Sequence, residues 1–177
     1  MKGAAIKEKK TATAEETIQL VTFHVGPEEY GLDINALTEV VRPLKVTTLP
    51  GMPQFIEGVI NLRGLIIPIV DLRKRFGLLE LRDDPKKKRM IITRCAGHGP
   101  AGKTGELLGF VVDSVSEVLH IPLRSIDQAP EAATGRTADY IAGLGKVGGR
   151  LIIILDRARL LSRQERVALV EAGNVQQ

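Results

Sequence analysis

Aromatic residues are scarce in this chain. Its 177 residues include six, Phe23, Tyr30, Phe55, Phe76, Phe110 and Tyr140, and no tryptophan. A platform for single-stranded nucleic acid stacks bases on exposed rings, so this composition argues against that class of function. Cysteine is scarcer still. Cys95 stands alone, which excludes an internal disulfide and favours a reducing compartment. No apolar run approaches the ~18 residues of a membrane-spanning helix. The N-terminus, MKGAAIKEKKTATAEET, lacks the apolar core of a signal peptide. It is small, polar and mixed in charge. Residues 1–17 are therefore expected to form a disordered tail on a soluble, cytoplasmic protein.

Residues of catalysis are thin as well. His24, His98 and His120 lie far apart, with no cysteines or acids at ligand spacing, so no metal site is expected. The four serines, at 114, 116, 125 and 162, include none in a G-x-S-x-G elbow. Nothing assembles a nucleophile, a base and an orienting group, and no cofactor is implied.

What is present is aliphatic. Hydrophobic residues make up 44% of the chain, and Val, Ile and Leu must carry the burial at roughly 1.5–3 kcal/mol per side chain. The net charge of +4 is local. Residues 1–17 contribute four lysines against three acids, and Arg82–Arg89 (RDDPKKKR) contributes five bases against two acids. The remainder is balanced. The basic character thus belongs to a tail and a solvated linker, not to a basic face for nucleic acid or lipid.

The chain also repeats itself. FIEGVINLRGLIIPIVD (Phe55–Asp71) aligns without gaps to YIAGLGKVGGRLIIILD (Tyr140–Asp156), 85 residues on. Gly31–Val41 matches Gly109–Leu119 at an offset of 78, and Leu20–Gly26 parallels Met90–Gly97 at 70. The chain reads as two similar halves, 18–85 and 86–156, followed by a helix and tail, 157–177. Each half holds strand-like runs, Leu20–Val25 and Ile91–Cys95, and a hairpin. Tight turns at Arg63-Gly64 and Gly148-Gly149 join the hairpin strands. Gly58, Gly64, Gly143 and Gly149 serve turns or close strand packing. Pro68 inside a strand implies an edge or a bulge. Asp33–Val41 fits a short helix capped by Asp33 and ended by Pro43. Ser162-Arg-Gln-Glu165 is a capping box, and the helix it opens is expected to end at Gly173.

Gly97-His-Gly-Pro-Ala-Gly-Lys103-Thr104 spells a phosphate loop, and Leu151–Asp156 resembles the strand-plus-Asp that helps hold magnesium. A nucleotide-binding protein is therefore the alternative reading. It is disfavoured, because such a loop must open a helix and Gly105 follows at once. The letters also fall in the insertion that distinguishes the second repeat, opposite Gly26–Tyr30, a plain loop of the first. Asp156 has a repeat partner in Asp71. Arg63 differs: its repeat counterpart is Gly148, so the turn does not require the basic side chain. A solvated turn arginine and a recognition arginine both fit it, and its dispensability to the turn points toward recognition. Leu37, Val40 and Val118 fit core or surface equally.

The segments EEYGLDINALTEVVRPLKVTTLP and PQFIEGVINLRGLIIPIVDLRKRFGL resemble the CheW family of chemotaxis coupling proteins, and the second half agrees through Gly109–Leu119 and Tyr140–Gly145. The resemblance spans about Thr17–Ala172. It implies an all-β fold of two SH3-like, five-stranded barrels around a shared apolar seam, with short helices and a C-terminal helix. It implies a non-catalytic adaptor, not an enzyme. The implied partners are the cytoplasmic tip of chemoreceptors and the regulatory domain of a CheA-type histidine kinase. The membrane enters only indirectly, through receptor arrays. By the same resemblance, Leu37, Arg63, Val115 and Val118 face the receptor, and Glu39 and Val40 face the kinase. The Gly97–Gly105 loop is longer than the family pattern.

Overall fold

In the computed structural model, residues 15–78, 84–94, 106–129 and 138–174 are described. Eleven strands are present among them. They are β1 (Thr17–Val25), β2 (Glu28–Asp33), β3 (Leu37–Val41), β4 (Ile56–Leu62), β5 (Leu65–Asp71), β6 (Arg89–Arg94), β7 (Leu107–Val112), β8 (Ser114–Pro122), β9 (Ile126–Asp127), β10 (Ile141–Val147) and β11 (Arg150–Leu155). Two helices follow strands: α1 (Leu72–Arg75) after β5, and α2 (Arg163–Asn174) near the end.

The strands form two sheets. One has the order β8-β1-β2-β11-β10-β9, the other β3-β6-β7-β5-β4. Neither follows the boundary expected at residues 85–86. The first two strands of each half are lent to the other half's sheet. β1 and β2 join β8–β11, while β6 and β7 join β3–β5. The exchange is reciprocal in every pairing. β3 meets β6 antiparallel as β8 meets β1, and β5 meets β7 parallel as β11 meets β2.

Each sheet curls closed. Beyond β3, Thr47 exchanges two backbone hydrogen bonds with Val59 of β4, at 2.8 and 2.9 Å. In the other sheet β9, which continues from β8, pairs with β10. Both closures press on a glycine. A Cβ on Gly58 would lie 2.0 Å from the Thr47 carbonyl oxygen, and one on Gly143 would lie 3.0 Å from that of Asp127. Both glycines also sit at a register shift in their hairpin, where an extra residue bends the strand.

Alternation along the strands sorts the aliphatic residues into three cores. Ile60, Ile67, Ile69, Met90 and Ile92 fill one barrel. Leu20, Ile121, Ile152 and Ile154 fill the other. The largest cluster lies between the sheets and draws on both, with Val21, Phe23, Tyr30 and Leu32 meeting Val70, Ile91, Phe110 and Val112. Leu160, Leu161 and Leu169 bring the C-terminal segment onto this seam. Arg75 completes it. Its guanidinium lies 4.2 Å from the Phe55 ring centroid and 4.8 Å from that of Tyr140, two repeat-related rings, and pairs with Glu165 at 3.2 Å.

Several local expectations change. Asp33–Val41 is not a helix. Asp33 does cap a turn, accepting from the Asn35 N–H at 2.8 Å, but the turn is a 3₁₀ segment, Ile34–Ala36, and the chain then extends as β3. Pro68 lies on β5, inside the sheet order rather than at its edge, and the register shift falls elsewhere. It is tolerated because its partner Val59 directs both backbone groups to Thr47, so no bond to β4 is lost. Glu28–Tyr30 belong to β2 rather than to a loop. The tail boundary at residue 17 falls on the first residue of β1. Ser162 and Glu165 form the capping box, at 2.6 and 3.1 Å, but α2 runs past Gly173 to Asn174. Cys95 and Gly97–Gly105 lie outside the described residues.

Candidate functional site

The β4–β5 hairpin turns through Arg63 and Gly64, at φ +50° and +84°. Two successive positive φ values give the turn whose twist matches a hairpin, and glycine is the natural occupant of both positions. The equivalent turn in the second half uses Gly148 and Gly149, at +54° and +78°. Arg63 is the sole non-glycine residue with positive φ among the described residues. The Gly64 N–H donates to Asn61 Oδ1 at 2.9 Å, which pins the turn.

The Arg63 guanidinium reaches across to β3. It donates to both carboxylate oxygens of Glu39, at 2.5 and 2.9 Å. These hydrogen bonds hold the Glu39 carboxyl below its ordinary pKa. The arginine side chain remains 71% exposed. An exposed ion pair contributes little stability. Its effect is to orient a strained, solvent-facing arginine.

Leu37 on β3 and Val115 on β8 are half-buried against the central seam. Val40 pairs with Ile91, and Val118 with Val21; both partners belong to that seam. Val40 and Val118 are nonetheless 37% and 47% exposed. The four apolar positions thus form two repeat-related pairs, 37 with 115 and 40 with 118, along the margins of one core. The residues assigned by resemblance to two different partners are not kept apart: Glu39 and Arg63 form one ion pair.

The second barrel carries a counterpart that the sequence did not disclose. Arg150 donates to Glu29 at 2.6 and 3.1 Å and to Glu117, the repeat partner of Glu39, at 2.9 Å. It stands two residues beyond the position matching Arg63, so gap-free alignment hid it. The shared Glu-Val of Glu39-Val40 and Glu117-Val118 was the available signal.

Asp71 and Asp156, the repeat-related acids, are both caps. Asp71 accepts from the Lys74 N–H at 3.3 Å and Asp156 from that of Ala158 at 2.9 Å. The phosphate-loop letters lie between β6 and β7, and the chain beyond them enters a strand, not the helix that a phosphate site requires. No group of three metal-ligating side chains occurs among the described residues.

The family model for the CheW-like domain matches residues 19–165. The chain belongs to the CheW family. It is 38% identical to a chemotaxis protein CheW of Klebsiella aerogenes, over 89% of this chain and 90% of that one. A CheW of Treponema pallidum is 34% identical over 87% and 88%. The crystal structure of the scaffolding protein TtCheW from Thermoanaerobacter tengcongensis superposes with a TM-score of 0.72 at 37% identity, covering 85% of this chain and 96% of that one. The mainly-β fold of two SH3-like barrels is accordingly that of a CheW protein.

Proposed function

We propose that this CheW-family chain is a non-catalytic adaptor of chemotaxis. It couples the cytoplasmic tips of chemoreceptors to a CheA-type histidine kinase, acts in the cytoplasm and joins the membrane only through receptor arrays. No helix among the described residues is long and apolar enough to cross a membrane. Leu37, Val115 and Val118 offer the receptor an apolar margin beside the seam, with Arg63 as the polar contact. Glu39 and Val40 lie toward the kinase. The receptor-facing set draws on both barrels, with Leu37 and Arg63 on one and Val115 and Val118 on the other.

The observation that carries this reading is Arg63. A left-handed backbone is unfavourable for a residue with a Cβ, and the repeat shows that glycine serves the same turn. A side chain kept there against that preference, exposed and aimed by Glu39, has the character of a recognition arginine. An adaptor of this kind needs only modest interfaces, because a lattice of partners multiplies weak contacts.

The test is Arg63→Ala in a reconstituted receptor–kinase assay. The variant should melt as the parent does, and receptor-dependent kinase activation should fall at least tenfold. Unchanged activation would refute the assignment.

A further inference from the structure

The run RDDPKKKR is not a free linker where it is described. Asp84–Lys87 is a turn: the Lys87 N–H donates to the Asp84 carbonyl at 3.0 Å, and Asp84 Oδ1 accepts from the Lys86 N–H at 3.0 Å. Asp at the first position and Pro85 at the second suit such a turn. Arg89 braces it, donating from Nη1 to the carbonyls of Lys86 and Lys88 at 2.8 and 2.7 Å. Carbonyls fix the guanidinium in place, and among the described residues no carboxylate pairs with it.

The turn folds against the end of β3. Arg42, Pro43, Pro85, Lys86 and Arg89 line a hollow of about 490 Å³. Three cations converge there between two rigid prolines. Among the described residues no carboxylate pairs with Arg42 or with the Lys86 ammonium. Val40 and Leu44, which flank Arg42 and Pro43 in sequence, are 37% and 38% exposed. β3 itself is the first strand in its sheet order.

We propose that this hollow docks an acidic protein segment that also carries aliphatic side chains. Charge complementarity selects the acid, since an arginine fork favours carboxylates. The flanking Val40 and Leu44 select a protein segment over a bare anion, because protein interfaces combine an apolar centre with arginine. The site extends the partner-facing role of β3 and rests on that reading, but it is separate from the Glu39–Arg63 pair.

The test uses the full-length protein without receptor or kinase, so its failure is distinct from failure of the coupling assay. The ¹⁵N-labelled chain is titrated with the acetylated, amidated peptide Glu-Glu-Leu-Glu-Glu-Leu-Glu-Glu. Amide shifts should map to Arg42, Leu44, Lys86 and Arg89, and affinity should fall as salt rises. The double variant Arg42→Glu, Lys86→Glu should weaken binding at least tenfold at an unchanged melting temperature, while Lys146→Glu, on β10, should bind as the parent does. If the double variant melts lower, Lys86→Ala with the same mapping replaces it. Binding that survives charge reversal, or shifts that map elsewhere, would overturn the proposal. So would pyrophosphate binding as tightly as the peptide, or phosphatidylserine vesicles binding while the peptide does not.

Discussion

At the scale of single residues, Arg63 separates stability from function. Its backbone sits at φ +50°, where Gly148 serves the equivalent turn at +54°. Replacing Arg63 by glycine removes a steric cost and sacrifices only an exposed ion pair. Arg63→Gly should therefore raise the urea midpoint of unfolding while receptor coupling is lost. A lower midpoint would show that the arginine is there for the fold. The same pair predicts a titration. Hydrogen bonds from Arg63 lower the Glu39 pKa in the folded state. A carboxylate shifted down contributes its stabilisation above its unfolded pKa and loses it as pH falls through the folded one. In carboxyl-detected NMR, Glu39 should titrate below its ordinary value in the parent and return toward it in Arg63→Gly. The importance of Arg63 was legible from the repeat, which showed a basic residue where the turn asks only for glycine. Its bond to Glu39 was not, because a separation of 24 positions along the chain says nothing of which strand faces the hairpin tip.

At the scale of elements, the two closing contacts behave differently although the repeat makes their glycines equivalent. At Gly58 an added Cβ meets a backbone oxygen at 2.0 Å, and the backbone φ is +139°. Nothing there can yield except the Thr47–Val59 bridge itself. At Gly143 the obstacles are the Ile126 Cγ2 at 2.9 Å and the Asp127 carbonyl oxygen at 3.0 Å, and the isoleucine can shift. Gly58→Ala should cost upward of about 3 kcal/mol by chemical denaturation, and Gly143→Ala about 1–3 kcal/mol, the ordinary range for overpacking. Equal losses would show that β9 is as rigid as the Thr47 segment. The hairpins were readable because turn glycines and period-two alternation are both local signals. β3 looks like helix in sequence because Ile34, Leu37 and Val41 satisfy a helical period. Its register shift between Leu37 and Glu39 interrupts the alternation that would have marked a strand.

At the scale of the molecule, a repeat reports which segments resemble each other and is silent on which segments pair. Gly31–Val41 and Gly109–Leu119 resemble each other in sequence, yet neither half is self-contained. In the fold, each half gives its first hairpin away. The parallel pairings of β2 with β11 and β5 with β7 have high sequence separation, and no local pattern encodes them. This arrangement dictates how the chain can be divided. A fragment of residues 15–83 holds β1–β5 but leaves β3 and β5 without β6 and β7, exposing Ile67 and Ile69, which are fully buried in the whole chain. A fragment of residues 84–174 leaves β8 and β11 without β1 and β2, exposing Ile152 and Ile121. Neither should show a cooperative thermal transition or dispersed amide resonances alone. Mixed in equal amounts, they should recover both, because every strand of both sheets is then present and the seam core can form. Residues 37–112, by contrast, contain β3–β7 in one stretch and the complete barrel interior of Ile60, Ile67, Ile69, Met90 and Ile92. That fragment should hold dispersed resonances but bind hydrophobic dye and self-associate, because Val70, Ile91 and Phe110 on its outer face lose the seam that covers them. Independent folding of residues 15–83 would mean that the exchange of hairpins is dispensable, and that the expected boundary near residue 85 divides the molecule after all.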